Sequence, residues 1–336
     1  APAAAAVQPA AAPNAARDAL IDSILAVSGL ADQMERLPEE LANGAKPSLD
    51  QANMPAEDKA RMRALISTSY SAKGFAARVK GALTANFDEA RFRRVLATVS
   101  TPVARRMAAL EKERPAPQAV QAFFAKLATE PLSPARVKLI RDLDEASGTS
   151  DLAVAVTIAN AEAMVRAIAA GCGDKAPDIG GLERQRPQIK RGVQNTVQAM
   201  MAFTYRGASD ADLGEYVKTY QAPDSRWFMG IVKDALTAEF AAGATAIGQG
   251  MVKMAQAKAK PGAMKCGATA PAAATAHKVQ PQEAPAALPP QAAPAAAPAP
   301  ASTPAKAMRT RSGQDARGCL RFEDSRKVMA CAEAYR

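Results

Sequence analysis

The pattern of apolar positions is helical along most of this chain. Apolar residues recur at spacings of three and four, as in "ALIDSILAV" (19–27) and "LGEYVKTYQ" (213–221). No segment shows the sustained alternation of apolar and polar residues that a half-buried strand needs. Aromatic residues make up only 4% of the chain, so its cores must be built from aliphatic side chains, which favours packed helices. The sequence therefore predicts an all-α protein.

Two pairs of similar segments indicate an internal duplication. The segment "ARDALIDSILAVSGLAD" (16–32) aligns with "ARVKLIRDLDEASGTSD" (135–151) at an offset of 119 residues. Farther on, 88–110 aligns with 209–231 at an offset of 121. Self-similarity at a fixed period is typical of repeat architectures, although a shared amphipathic period explains some of the apolar agreement. We predict a duplicated helical repeat bundle with one copy over 15–131 and the other over 132–266.

Helix boundaries are marked in both copies. Ser133 and Thr101 each precede a proline, which suits an N-cap residue followed by proline at the first helical position. Ser209 is predicted to be the N-cap of the helix that precedes the proline corner in the second copy. Gly29 and Gly148 follow apolar stretches at the position where a left-handed C-cap favours glycine. Each copy is predicted to contain a first helix, a longer second helix (56–85 and 182–206) and two short helices that meet at a proline corner.

The flanking segments have a different composition. Residues 1–14 are mostly Ala and Pro and predict a flexible leader, and 267–305 are an Ala/Pro-rich segment that predicts a disordered tether. Residues 306–336 form a basic tail. We predict that Cys319 and Cys331 staple this tail around a small C-terminal helix, since so short a unit has almost no core.

Cysteine usage and the N-terminal residues suggest an exported protein. The chain has four cysteines, Cys172, Cys266, Cys319 and Cys331, and it begins with small residues, as a protein does after signal-peptide cleavage. We therefore expect a periplasmic or secreted protein with two disulfides. Pairing Cys319 with Cys331 leaves Cys172 for Cys266, although four cysteines allow three connectivities.

The net charge of +10 makes acidic partners plausible. Basic residues alternate with acidic ones rather than crowding on one face among aromatic residues, so nucleic acid is not the expected partner. An envelope protein or an acidic surface polymer is expected instead. No uninterrupted apolar run is long enough to span a bilayer, and we expect a protein that is not transmembrane.

The second proline corner resembles a known bacterial family. Its residues Asp210, Ala211, Asp212 and Leu213 lead a short helix, which continues through Tyr216, Tyr220, Pro223 and Arg226. A fainter copy runs through Asp88, Phe92, Val99, Pro102 and Arg105. This arrangement resembles the export-protein family called domain of unknown function 2059. The resemblance covers about half of each copy and implies a small helical periplasmic protein, with no agreed chemistry to carry over.

Residues for catalysis or metal binding are scarce. The single histidine, His277, lies inside the predicted tether, where nothing holds it in geometry, and the cysteines lack C-x-x-C spacing. The segment from Asp142 departs from a calcium loop, because its turn glycine is displaced to Gly148. It is better interpreted as the end of one helix and the start of the next. We predict no catalytic, cofactor or metal site.

Scarce aromatic residues gather at the second corner. We expect the aromatic residues of this cluster to fill the core between short helices; they are Tyr205, Tyr216, Tyr220, Trp227 and Phe228. The alternative is a groove or partner surface formed by Tyr216, Tyr220, Arg226 and Trp227, since Tyr, Trp and Arg are favoured at binding hot spots. The predicted function is a non-enzymatic envelope binding or scaffolding protein, whose helical body and tethered tail engage separate partners. The alternative is a periplasmic carrier that holds an apolar ligand in a helical cavity.

Overall fold

The computed structural model describes residues 13–172 and 180–258, and this part of the chain is helical, with no strand. The prediction of an all-α fold is confirmed. In chain order the helices are α1 (Pro13–Val27), α2 (Leu30–Gln51), α3 (Ala56–Ser69), α4 (Ala72–Ala85), α5 (Glu89–Val99), α6 (Pro102–Glu111), α7 (Pro117–Thr129), α8 (Pro134–Ser147), α9 (Thr149–Cys172), α10 (Gly180–Thr204), α11 (Asp210–Gln221) and α12 (Pro223–Lys258).

The predicted helix boundaries are confirmed at several positions. The side chains of Ser133, Thr101 and Ser209 each accept a hydrogen bond from the backbone N–H three residues later, as N-caps do. Gly29 and Gly148 have φ of 79° and 65°, a left-handed conformation that glycine adopts without a steric penalty. The segment after Asp142 is the end of α8 and the start of α9, as expected.

Other helix boundaries differ from the prediction. The predicted helix over 56–85 is two helices, since the chain is extended at Tyr70 and Ser71 caps α4 by accepting from the N–H of Gly74. In the second copy, the helix after the proline corner was predicted to be short. This helix, α12, has 36 residues, which is about 54 Å. The proline-rich connection between the copies contains α7, and α1 begins at Pro13 inside the predicted leader.

The two predicted copies contain their helices in a matching order. In chain order, α1 corresponds to α8, α2 to α9, α5 to α11 and α6 to α12. The pair α3–α4 corresponds to the single helix α10. Equivalent pairs also contact each other: α1 packs on α5 as α8 packs on α11, and α2 packs on α4 as α9 packs on α10. Across the copies, α12 packs on α5 and α11 packs on α6.

Each of the two hydrophobic cores takes residues from both copies. The first core joins α1–α5 to α12, with Phe75, Phe92 and Phe228 almost fully buried. The second core joins α6, α8, α10 and α11, with Ile140 and Leu213 at its centre. Helix α12 of the second copy therefore completes the first core, and α6 of the first copy contributes to the second core.

A buried carboxylate fixes the junction between α8 and α9. Asp144 accepts hydrogen bonds from the backbone N–H of Ser150 (2.9 Å), the hydroxyl of Ser150 (2.8 Å) and Nε2 of Gln198 (3.0 Å). The first bond satisfies a donor that the start of a helix leaves without an intrahelical partner. Asp144 thereby ties α8 to the beginning of α9 and to α10.

Helix α9 is unusually apolar. Among the described helices it is the one whose length and composition would allow it to cross a membrane: its most apolar window has a mean hydropathy of 1.5 and is 22% buried. In this fold α9 packs along α12 and also contacts α10. These contacts cover part of α9, and most of its apolar window is not fully buried.

We expect the contact between α9 and α12 to depend on a glycine. A Cβ at Gly248 would lie 2.8 Å from the Cβ of Ala167 and 2.9 Å from the carbonyl oxygen of Met164, which are closer than real contacts allow. Gly248→Ala should therefore lower the free energy of unfolding by about 1–3 kcal/mol, measured by urea denaturation. Gly230→Ala in the same helix is the control.

Gly230 has open space where a Cβ would lie. Its replacement by alanine should raise the stability by about 0.5–1 kcal/mol, because alanine favours the helix. Equal effects of the two substitutions would contradict the close approach of α9 and α12 at Gly248.

Several predictions concern residues outside the described part of the chain. They are the tether over 267–305, the basic tail over 306–336 and nearly all of the leader. Cys266, Cys319 and Cys331 also lie outside it. Cys172 is the last residue of α9, and its pairing with Cys266 stays a prediction.

Candidate functional site

A cleft of about 760 Å³ lies where the two hydrophobic cores meet. We call it the central cleft. Its walls come from α2, α5, α6 and α8–α12, and most of its lining side chains are apolar. Representative lining residues are Leu37, Leu41, Val95, Val99, Leu152, Val156, Phe228, Met229 and Leu236. Its volume lies within the range of pockets that bind small molecules.

One carboxylate and three phenols form a polar cluster in the lining of the cleft. We call Glu111, Tyr205, Tyr216 and Tyr220 the Glu111 cluster. One carboxylate oxygen of Glu111, Oε1, accepts a hydrogen bond from the hydroxyl of Tyr205 at 2.7 Å and another from the hydroxyl of Tyr216 at 2.8 Å. The Tyr216 hydroxyl lies 3.3 Å from that of Tyr220. Because Tyr216 donates its proton to Glu111, it can accept the proton of Tyr220.

Sequence position and packing bring the Glu111 cluster together. Glu111 is the last residue of α6, Tyr205 follows α10, and Tyr216 and Tyr220 are one turn apart on α11. The rings of Tyr205 and Tyr216 have centroids 6.0 Å apart, and those of Tyr216 and Tyr220 are 5.2 Å apart, both edge-to-face. Such pairs are favourable beyond the area they bury.

Burial changes the acid–base properties of the cluster. It raises the pKa of Glu111 above the ordinary value of 4.5, and the two phenol hydrogen bonds oppose only part of that shift. The pKa values of Tyr205, Tyr216 and Tyr220 are all raised, first by burial and then by the neighbouring cluster groups, Glu111 among them. The phenols therefore keep their protons at neutral pH and act as donors to Glu111.

No ion pair to Glu111 occurs among the described residues. The basic side chains nearby form ion pairs with other residues: Lys112 pairs with Asp32 at 2.7 Å, and Arg206 pairs with Glu113 at 3.0 Å. The carboxylate also stands at the C-terminal end of α6, where the helix dipole disfavours negative charge. Within the described ranges, the two phenol hydrogen bonds are what compensates the charge of Glu111.

Two further polar atoms in the cleft lining have no hydrogen-bond partner. They are the hydroxyl oxygen of Ser225, whose residue is 6% exposed, and Oδ1 of Asn160. Buried polar atoms are nearly always paired, because an unpaired one costs about 1–3 kcal/mol. Both atoms are closed to solvent, so either side chain must rotate toward the cleft before it can hydrogen-bond a molecule there.

The structure separates the predicted partner surface into different environments. Tyr216 is buried and Tyr220 is half-buried, and both line the central cleft. Arg226 is exposed. Trp227 is half-buried outside the cleft lining: Cζ of Arg91 lies 3.9 Å from its ring centroid, and the ring packs edge-to-face on Phe92. These four residues therefore do not share one environment.

Glu111 was not among the residues that the sequence singled out. It stands in the charged run "EKER" (111–114), which is typical of a solvated helix end. One sequence signal was available: Glu111 is an acidic residue in the last turn of a helix, where the helix dipole disfavours negative charge. Its contacts with Tyr205 and Tyr216 span 94 and 105 residues, so local sequence cannot show them.

Comparison with family models, with curated proteins and with solved structures found no match to this chain. The resemblance to domain of unknown function 2059 stays a prediction. Within the described ranges, no group of three or more His, Cys, Asp or Glu residues is arranged to hold a metal ion. The central cleft is therefore the feature on which a function can be argued.

We expect the charge of Glu111 to destabilise the folded protein. Because its pKa is raised, the unfolded chain loses the proton at a lower pH than the folded protein does, so stability falls as pH rises through the interval between the two pKa values. Glu111→Gln removes this loss and keeps an oxygen that can accept from Tyr205 and Tyr216. The variant should melt above the parent near pH 8.

The same comparison at low pH is the control. Near pH 4 Glu111 is largely protonated in the folded and unfolded states, so the two melting temperatures should approach each other. Melting temperatures followed by circular dichroism across this range test the prediction. A difference that does not change with pH would contradict it.

Proposed function

We propose that this protein is a non-enzymatic carrier that holds a small apolar or amphipathic molecule in the central cleft. The observation that carries the proposal is the cleft itself, an apolar space of about 760 Å³ with unpaired polar atoms at Ser225 and Asn160. Specific small-molecule sites combine a mostly apolar lining with a few placed polar groups. Of the two functions that the sequence predicts, the cleft favours the carrier.

The location and origin of the protein belong to the same proposal. We infer a periplasmic or secreted protein, on the cysteine count and the resemblance described above. We also infer that the two copies arose by duplication. The matching helix order and the left-handed glycines after α1 and α8 support this inference. A binding site between duplicated halves follows naturally, because pockets often form where two packed units meet.

Binding of a neutral apolar probe tests the proposal. N-phenyl-1-naphthylamine, whose fluorescence rises in apolar surroundings, should bind the full-length protein saturably. Ala153 is half-buried and lines the cleft on α9, so Ala153→Trp places a large ring inside it. We expect this variant to bind the probe at least about tenfold more weakly.

The matched control is Met200→Trp, which introduces the same side chain at an exposed position outside the cleft lining. It should bind the probe as the parent does. Native mass spectrometry of gently purified protein is a second readout and should show a bound small molecule. Absence of both probe binding and a bound molecule would reject the carrier function, and equal binding by the two variants would place the probe elsewhere.

A further inference from the structure

The lining of the central cleft indicates which kind of molecule it would hold. Resting on the carrier function, we propose that the molecule is an amphipathic cation, with an amine or quaternary ammonium group at the Glu111 cluster and an apolar body along the rest of the cleft. Three features support this assignment: the charge balance of Glu111, the arrangement of the aromatic rings and the unpaired hydroxyl of Ser225.

The charge balance favours a cation. Both phenol hydrogen bonds go to Oε1 of Glu111, and none of the recorded bonds goes to its other carboxylate oxygen. An ammonium group can supply to that oxygen both a positive charge and, if it carries N–H, a donor. A neutral ligand hydroxyl would supply the donor alone and leave the half-buried charge uncompensated.

The tyrosines suit the same kind of group. A cation near the face of an aromatic ring is attracted by the electrons of that ring, and cages of aromatic side chains recognise quaternary ammonium ligands. Tyr205, Tyr216 and Tyr220 are packed edge-to-face around one carboxylate and all line the cleft. Their hydroxyls are engaged with Glu111 and with each other, which fixes the orientation of the rings.

Ser225 is an independent indication of a ligand. Its hydroxyl is buried without a partner, and the residue lies in the first turn of α12, just after the corner that follows Tyr220. Rotation of the Ser225 side chain toward the cleft would let its hydroxyl form a hydrogen bond with a ligand there. The buried unpaired hydroxyl and the uncompensated carboxylate are thus both found in the cleft lining.

An anionic ligand is the competing possibility, because Arg36 also lines the cleft. Its side chain is 15% exposed, and its ion pair with Glu40 is long, at 3.6 Å. However, Arg36 does have a carboxylate partner in the structure, whereas Glu111 has no recorded cation. The cationic end is therefore the stronger assignment, and the anionic end becomes an outcome of the test.

Competition between three probes with the same alkyl chain tests the inference. Decyltrimethylammonium, decanol and decanoate, each below its micelle concentration, are used to displace N-phenyl-1-naphthylamine from the full-length protein. We expect the cation to displace the probe at a concentration at least about tenfold lower than decanol does, with decanoate the weakest. Glu111→Gln should bring the ratio between the concentrations of the cation and of decanol needed for displacement to about one.

Tyr220→Phe is a milder second variant, because it keeps the ring and removes only the outermost hydroxyl of the hydrogen-bonded chain. It should retain most of the preference for the cation. A purely structural role of the Glu111 cluster would change the melting temperature without changing the order of the three probes.

Two outcomes would overturn the inference. Equal displacement by all three probes would remove any role of Glu111 in ligand choice. A preference for decanoate that Arg36→Gln abolishes would assign an anionic end instead. In both cases N-phenyl-1-naphthylamine still binds, so the carrier function survives. Failure of that probe to bind the parent protein, together with the absence of a bound molecule by native mass spectrometry, would instead reject the carrier function.

Discussion

Arg136→Met is expected to lower the free energy of unfolding by about 3–5 kcal/mol. Arg136 is 8% exposed and crosses from α8 to the connection between α10 and α11. Its Nη1 donates to the carbonyl oxygen of Ala208 at 3.0 Å and to Oδ1 of Asp210 at 2.8 Å, and its Nη2 donates to the carbonyl oxygen of Tyr205. Methionine fills similar space but leaves both carbonyls without this donor.

Arg136→Lys should show an intermediate loss, because an ammonium group cannot reproduce the fork of a guanidinium. Arg105→Met is the control, since Arg105 is exposed and should tolerate the same change with an effect within about 0.5 kcal/mol. Urea denaturation of the three variants measures the differences. A loss below about 1 kcal/mol for Arg136→Met would show that the connection is held by other contacts.

Phe92→Ala is expected to cost about 3–5 kcal/mol, because it empties the centre of the first core. Phe92 on α5 is fully buried, and its ring centroid lies 5.0 Å from that of Phe87, 5.6 Å from that of Trp227 and 5.9 Å from that of Phe228. The last two contacts join α5 to α12. The cavity would therefore form at the contact between the two copies.

Phe124→Ala is the matched control. Phe124 on α7 is half-buried, with one recorded ring contact, to Phe123 at 5.6 Å, so its truncation should cost less than half as much. Trp227 is the single tryptophan of the chain and reports directly on the change. Its emission should move to longer wavelength in Phe92→Ala and not in Phe124→Ala. An unchanged spectrum with full stability would contradict the packing of Phe92 on Trp227.

Local chemistry was sufficient to predict the helical class and many helix boundaries. The caps at Ser133, Thr101 and Ser209 follow from short-range hydrogen bonding, and the turns at Gly29 and Gly148 follow from backbone sterics. The break between α3 and α4 was missed because no proline or glycine marks it. The N-cap at Ser71 was the available signal.

Long-range packing determined what the sequence did not predict. Helix α12 continues beyond its predicted end because it packs along α9 and against α3 and α4, and no pattern within 223–258 specifies those contacts. The Glu111 cluster likewise joins α6 to residues about a hundred positions later. The alternating charges near Glu111 predicted exposure, and the tertiary fold overrode that local pattern.

Helix α12 also has a consequence for the order in which the protein matures during its synthesis. The ribosome makes α3–α5 long before Phe228, Val232 and Phe240 of α12 emerge to cover Phe75 and Phe92. A nascent chain therefore carries an exposed apolar surface from the synthesis of α5 until α12 emerges. A stop codon between α5 and α12 would leave that surface permanently exposed, and we expect such a product to aggregate or be degraded.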